Sequence, residues 1–479
     1  MAVSQETIPT ATEPLTGVEC FWNAGFNYNR FTFQRQDRVF ATVTDVSGFA
    51  RFDFSTTPPS GVDVDTPIYV QSADGTTYNV RGLVTAVSGN NITTDIPYVS
   101  STSGFGIYPT VIKDWRVEVI IDIWNGSAYV PINGQSPSST TPIAKFQNLP
   151  NGDVIAELQN YLQSELIPDY TYDSINLNWL NNNYTRYQVR YRENYYGLTA
   201  GSYLVVQDGT VDADFWAVNA AMQLKATLAP NLANYLVIDD VDCDALFLSG
   251  FTRPTYWSGY PFDLSFLWNL GDTGITAIQI WYDENLNVVD STALGTLSDK
   301  NGKMGRIGVD RGVVTSNAFT YTAIRITESS FPFLGISETK IIKVGEVCDN
   351  AIMLTWLNKL GGWDYWLFTN RNTTSYGVSN SGVFEPYIED MATANSTEVV
   401  LLKQGKEAVT LAANNLDSND VTGLKGLLSS TAVYAIDEDG NVLYRTTVNG
   451  GTWNVADTKK NTFDLTITIL KPSEFNQNN

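Results

Sequence analysis

Histidine is absent from all 479 residues. Its absence excludes Ser-His-Asp and Cys-His nucleophile systems, imidazole general bases and imidazole metal ligands. An enzyme made from this chain is confined to a carboxylate pair, a Lys or Tyr base, or a metal held by oxygen alone. Cysteine is scarce: Cys20, Cys243 and Cys348 are odd in number and far apart, which points to buried free thiols, not a disulfide framework. Basic residues number 29 against 51 acidic ones, and the net charge of −22 argues against a nucleic-acid partner. That charge favours repulsion between free copies, so the isolated protein is expected to stay monomeric or weakly associated. No run approaches the roughly 18 consecutive apolar residues of a membrane span. Met1 to Gly17 has neither a basic nor an apolar leader region, so synthesis in the cytoplasm without Sec export is expected.

What the chain does have is short stretches of alternating hydrophobicity separated by turn residues. Trp115 to Trp124 and Phe463 to Ile469 alternate apolar with polar or outward positions at period two, the mark of a half-buried strand. The whole reads as mainly β: several β-sandwich or small-barrel domains, fibronectin-III- or immunoglobulin-like, with a few short helices. Residues 1–35 read as an extended arm and an aromatic strand, 36–110 as a small barrel or sandwich, and 111–245 as a sandwich with a packed helix. Residues 246–383 read as a fibronectin-like sandwich and 384–479 as an α+β domain. Helices are expected at Val154 to Leu162, capped by Asp153, and near Ser418, where Val421, Leu424, Leu427 and Leu428 share a face. Asp214 to Leu228 fits a helix or a broken strand equally.

Few residues suggest chemistry. Asp240, Asp242 and Asp244 would share one face of a strand and offer Ca²⁺ hard oxygen ligands, but the Gly and bidentate Glu of an EF-hand are missing. A solvated acidic face is the preferred reading, and no cofactor or metal is expected. Asp437-Glu438-Asp439-Gly440-Asn441 reads as a hairpin turn in preference to a cation loop. Asp364 is an acid among aromatics, either with a raised pKa beside a sugar platform or as an acceptor for backbone N–H groups of its hairpin. The Pro-bounded segment Arg253 to Pro261 reads as an exposed contact loop carrying Arg253, Tyr256, Trp257 and Tyr260. Val3, Ile8 and Leu15 are the apolar positions of the arm, expected to become buried on neighbouring chains.

From Cys348 to Phe368 two hydrophobic runs meet at Gly361-Gly362, and Trp356, Trp363 and Trp366 mark a packed hairpin. The paired glycines are expected to supply the positive φ angles of a two-residue turn. This run, with its WLN, LGG and WDYW elements, resembles virion structural proteins of the tail or baseplate type from bacteriophages infecting Bacteroidetes. The Trp115 to Tyr196 block and the ending Phe463-Asp464-Leu465-Thr466-Ile467-Thr468-Ile469 carry the same resemblance. It implies a non-enzymatic subunit of the virion, present in multiple copies in tail, baseplate or neck, with other virion proteins and copies of itself as partners. A second reading from the aromatic content is a host-surface carbohydrate-binding adhesin, with a surface glycan as partner.

Overall fold

The computed structural model describes residues 3–7, 11–12, 19–20, 22–24, 29–35, 38–54, 64–65, 67–72, 76–107, 115–132, 142–147, 154–172, 177–180, 183–197, 202–211, 213–221, 232–238, 243–269, 274–298, 302–309, 320–329, 335–369, 372–385, 387–388, 398–449 and 462–477. The fold is mostly β, in several separate sheets, with two short α-helices among the described residues. The chain divides into two compact units whose segments interleave in sequence.

The first unit contains residues 1–10, 21–165 and 185–217. Its clearest element is a six-stranded closed barrel formed from strands between Arg38 and Ile107. Val43, Phe52, Ile68, Val70, Val84 and Ile92 fill the interior, and Phe52 meets Tyr78 edge to face at 5.4 Å between centroids. Six strands enclose a space that side chains alone can fill, so the barrel is a core and not a channel. Gly89, with φ +59°, sits in the two-residue turn between Asn79–Ser88 and Asn91–Pro97. Trp115–Trp124 is central in a seven-stranded sheet, flanked by Tyr184–Gly197 and by the short Tyr129–Pro131 and Ala144–Gln147 strands. Phe215–Val218, in the ambiguous 214–228 stretch, is a strand of this sheet.

Three expectations for this unit are corrected. Val154–Glu157 is a strand paired with Arg30–Arg35, and the helix is only Gln159–Gln163. Val154 and Ala156 are buried and Ile155 is exposed, so a period of two prevails where the run was too short to separate the templates. Asp153 lies outside the described residues. The aromatic stretch is not one strand: Trp22–Ala24 joins the seven-stranded sheet and Arg30–Arg35 a three-stranded one. Nor is the amino-terminal segment a free arm, because Val3–Thr7 pairs antiparallel with Arg30–Arg35 within the chain. Ile8 and Leu15 lie outside the described residues.

The second unit contains residues 11–20, 166–184 and 218–479. Leu177–Trp179, Lys303–Gly308, Asp263–Trp268 and Leu236–Val237 form a four-stranded sheet. A five-stranded sheet runs Thr255–Trp257, Lys340–Gly345, Tyr321–Glu328, Ile275–Tyr282, Val288–Leu297. The largest sheet runs Trp363–Phe368, Ile352–Leu357, Val433–Ile436, Val442–Asn449, Phe463–Leu470, Val399–Leu416, Thr373–Phe384, with Glu474–Gln477 beside the 399–416 strand. The Ser418–Ser429 helix is closed at its start by a capping box. Asp417 accepts from the Asn419 and Asp420 N–H groups, and Asp420 accepts from the Asp417 N–H. Val421, Leu424 and Leu427 are its buried side. Among the described residues no helix is long and apolar enough to cross a membrane.

Candidate functional site

The expected hairpin is present, with Leu357 opposite Trp363, but five residues connect its strands instead of two. Only Gly361 of the pair has a positive φ, +91°. Asn358 organises this loop: its N–H donates to the Gly362 carbonyl at 2.8 Å, and its Oδ1 accepts from the Leu360 and Gly362 N–H groups at 2.9 and 3.2 Å. Gly362 matters for a different reason, since a Cβ there would run into the Leu248 carbonyl oxygen. Two further hairpins repeat this loop bond for bond. Asp283 and Asp437 stand where Asn358 does, and each accepts from N–H groups two and four residues on at 2.7–3.0 Å. Their backbone N–H groups donate to the carbonyls four residues on, of Asn287 and Asn441, at 3.1 Å. The fourth residue again has positive φ: Leu286 at +64° and Gly440 at +87°.

The loops therefore show what their acids do. Asp437 Oδ2 accepts from Asn441 Nδ2 and Asp283 Oδ2 from Asn287 Nδ2, both at 2.9 Å. These amide donors, followed by backbone N–H groups, hold both carboxyls below the usual carboxylate range. Both oxygens of each acid are engaged within the turn, which supports the hairpin reading over a cation loop. Asp244 is exposed, Asp240 and Asp242 lie outside the described residues, and no grouping of acids suited to a metal occurs among the described residues.

Asp364 is fully enclosed, and its hydrogen bonds reach beyond its own hairpin. Its oxygens accept from Ser249 Oγ and the Gly250 N–H, each at 2.9 Å, tying the 249–250 turn to the Trp363–Phe368 strand. Burial outweighs these hydrogen bonds and pushes its pKa up to about 6. In the same unit, Asp263 and Arg306 form a buried ion pair at 3.1 Å on adjacent strands, with the Arg306 guanidinium 5.1 Å from the Tyr172 ring centroid. Burial pushes the Asp263 pKa up against the pull of Arg306. In the first unit, Asp214 accepts from Tyr129, Arg186 and Gln188, and the Arg186 guanidinium lies over the Trp124, Tyr129 and Trp216 rings. In each cluster the ionisable groups are turned toward partners inside the fold.

The Arg253 to Pro261 segment is not an exposed loop. Thr255–Trp257 is a strand pairing in parallel with Lys340–Gly345, and Tyr256, Trp257 and Tyr260 are 0 %, 5 % and 8 % exposed. Arg253 alone of the four is exposed. Trp366 stacks on Phe251 at 5.9 Å and meets Trp257 edge-on at 5.1 Å. A cleft of about 320 Å³ opens beside these rings, lined also by Glu346, Cys348 and Asn414. The ring faces are taken up by packing, so no flat platform for a sugar is left there. Cys243 is buried as expected, but Cys348 is exposed.

Exposed aromatic surface lies elsewhere, on a strand not singled out by its sequence. Thr373–Phe384 ends the largest sheet and pairs only with Val399–Leu416 among the described residues. Its twelve residues carry no charge. Tyr376, Val378, Val383 and Phe384 are 47–57 % exposed, and Tyr387 just beyond is 91 % exposed. Thr374 is opposite Val409 and Tyr376 opposite Glu407, so Tyr376 and Val378 lie on the face that buries Val409, Leu411 and Ala413. The buried face of the sheet thus continues into exposed Tyr376 and Val378 at its edge. Free edges are ordinarily blunted by Lys, Pro, bulges or shortness, and the 373–380 stretch has none of these.

Compared by sequence, the chain matches no protein-family model and no curated protein. Among solved structures it is similar to a biofilm-associated protein BSP domain, with TM-score 0.15 and 7 % identity over 85 % of this chain and 93 % of that one. It is also similar to the native conformation of E. coli alpha-2-macroglobulin, with TM-score 0.16 and 10 % identity over 93 % of this chain and 40 % of that one.

Proposed function

We propose that the chain is a non-enzymatic structural subunit of a phage virion, a tail, baseplate or neck component present in multiple copies. The observation that carries this reading is the uncharged strand Thr373–Phe384, with exposed Tyr376, Val378, Val383 and Phe384, which among the described residues pairs on one side only, on a chain of net charge −22. An edge of this kind is a template for another chain, and a subunit destined for an assembly has a use for it. The polar clusters fit the same reading, because their ionisable groups are turned on one another and not toward a cleft. So does the resemblance of the Cys348 to Phe368 run to virion structural proteins. The Arg253 to Pro261 segment lends no support to the glycan-binding reading, since Tyr256, Trp257 and Tyr260 are core residues. The direct test is negative-stain imaging of purified particles labelled with an antibody to the chain. Regularly spaced label with several copies per particle is the expected result, and particles without the chain would overturn the proposal.

A further inference from the structure

We infer that Thr373–Phe384 pairs antiparallel with the same strand of a second copy about a two-fold axis, joining two of the largest sheets into one. The inference rests on the subunit reading and names the partner. Its first ground is charge. With 51 acidic residues against 29 basic, two copies meeting at a typical surface place like charges together. The 373–384 strand is twelve residues without charge. Among the described residues the next longest uncharged strand, Ile275–Tyr282, has eight, and it is paired on both sides. The 373–384 edge is where two copies can meet with no charged side chain on either pairing strand.

The second ground is register. A one-residue slip would set Tyr376 and Val378 on the polar face of Ser375 and Ser379. Of the two-fold registers that keep the apolar face continuous, the one centred on Gly377 opposes Tyr376 to the partner's Val378 twice. Aromatic and β-branched residues directly opposite are favourable cross-strand pairs. Because the contact is uncharged and the rest of each copy is acidic, salt should strengthen it by screening the repulsion. A charge-driven contact would weaken instead.

The test is sedimentation velocity of the full chain at about 0.05 M and about 0.5 M salt, where the screening length falls from roughly 14 Å to roughly 4 Å. A dimer that tightens with salt is expected. Val378→Lys, at an exposed position, should raise its dissociation constant at least about tenfold with unchanged melting, a loss of about 1.4 kcal/mol. Val99→Lys, exposed beside the barrel, should leave it unchanged. A monomer at both salts, or a dimer indifferent to Val378→Lys, overturns the inference. If the wild type is monomeric but Val378→Lys lowers incorporation into particles, the edge takes a different virion protein: the pairing is refuted and the subunit reading stands.

Discussion

The three five-residue hairpin loops form an internal experiment on left-handed backbone. Their fourth residues are Gly361, Leu286 and Gly440, all at positive φ, yet one is leucine. An L-residue in that region costs roughly 1–2 kcal/mol, against the roughly 0.5–1 kcal/mol of chain entropy that glycine loses on folding. Leu286 is 57 % exposed, so little burial is lost on truncation. Leu286→Gly is therefore expected to stabilise by about 0.5–1 kcal/mol. Gly361→Ala faces the same strain, and its Cβ would also lie 2.5 Å from Val218 Cγ1 and 3.1 Å from the Asn219 carbonyl oxygen. Overpacking of that kind typically costs about 1–3 kcal/mol, which with the strain gives about 2–5 kcal/mol of destabilisation. Urea unfolding followed by tryptophan fluorescence reads both, since Trp281 flanks one loop and Trp363 the other. A Leu286→Gly variant no more stable than wild type, or a Gly361→Ala loss under about 1 kcal/mol, would refute the reasoning.

Two other perturbations address the buried acids. Asp364 binds its proton more tightly folded than unfolded, so its contribution is most favourable below its ordinary value of 3.8 and is lost as pH rises towards about 6. Relative to Asp364→Asn, the wild type should gain about 2 kcal/mol between pH 7 and pH 4, measured by urea unfolding at each pH; a constant difference would place the carboxyl near its ordinary value. Asp263→Asn should cost about 3–5 kcal/mol by leaving the buried Arg306 charge without its carboxylate, whereas replacing the pair by Leu and Met should recover most of it. A single variant as stable as the double, by thermal melting, would contradict the pairing.

Strands with strict alternation were legible from their period. Phe463–Leu470 has one buried and one wetter face. The expected half-burial of Trp115–Trp124 is corrected, because Val117 to Asp122 are buried on both faces, with Glu118 and Asp122 held in ion pairs. Trp115–Trp124 and Phe463–Leu470 emerge within a residue of where periodicity places them. The Ser418–Ser429 helix was equally legible from its cap and apolar spacing. The burial of Tyr256 and Trp257 was not, because a three-residue strand between prolines holds its place only by pairing with Lys340–Gly345, far along the chain. The roles of Asn358 and Asp364 were not legible from the glycines beside them. The spacing that marks the shared loop was present, since Asp283-Glu284 and Asp437-Glu438 each precede an Asn by the same number of residues. Exposure of Tyr376 and Val378 could not be read either. Their alternation is that of a buried face, and only the three-dimensional arrangement reveals that they lie exposed at its edge.

Amide hydrogen exchange across Thr373–Phe384, compared between the dilute chain and the assembled particle, tests the role of this edge most directly. Amides of this strand facing away from Val399–Leu416 should exchange almost freely in the dilute chain and become strongly protected on assembly, while the barrel between Arg38 and Ile107 keeps the same protection in both. Unchanged exchange along the strand in particles that contain the chain would contradict the assignment of this edge as the assembly contact.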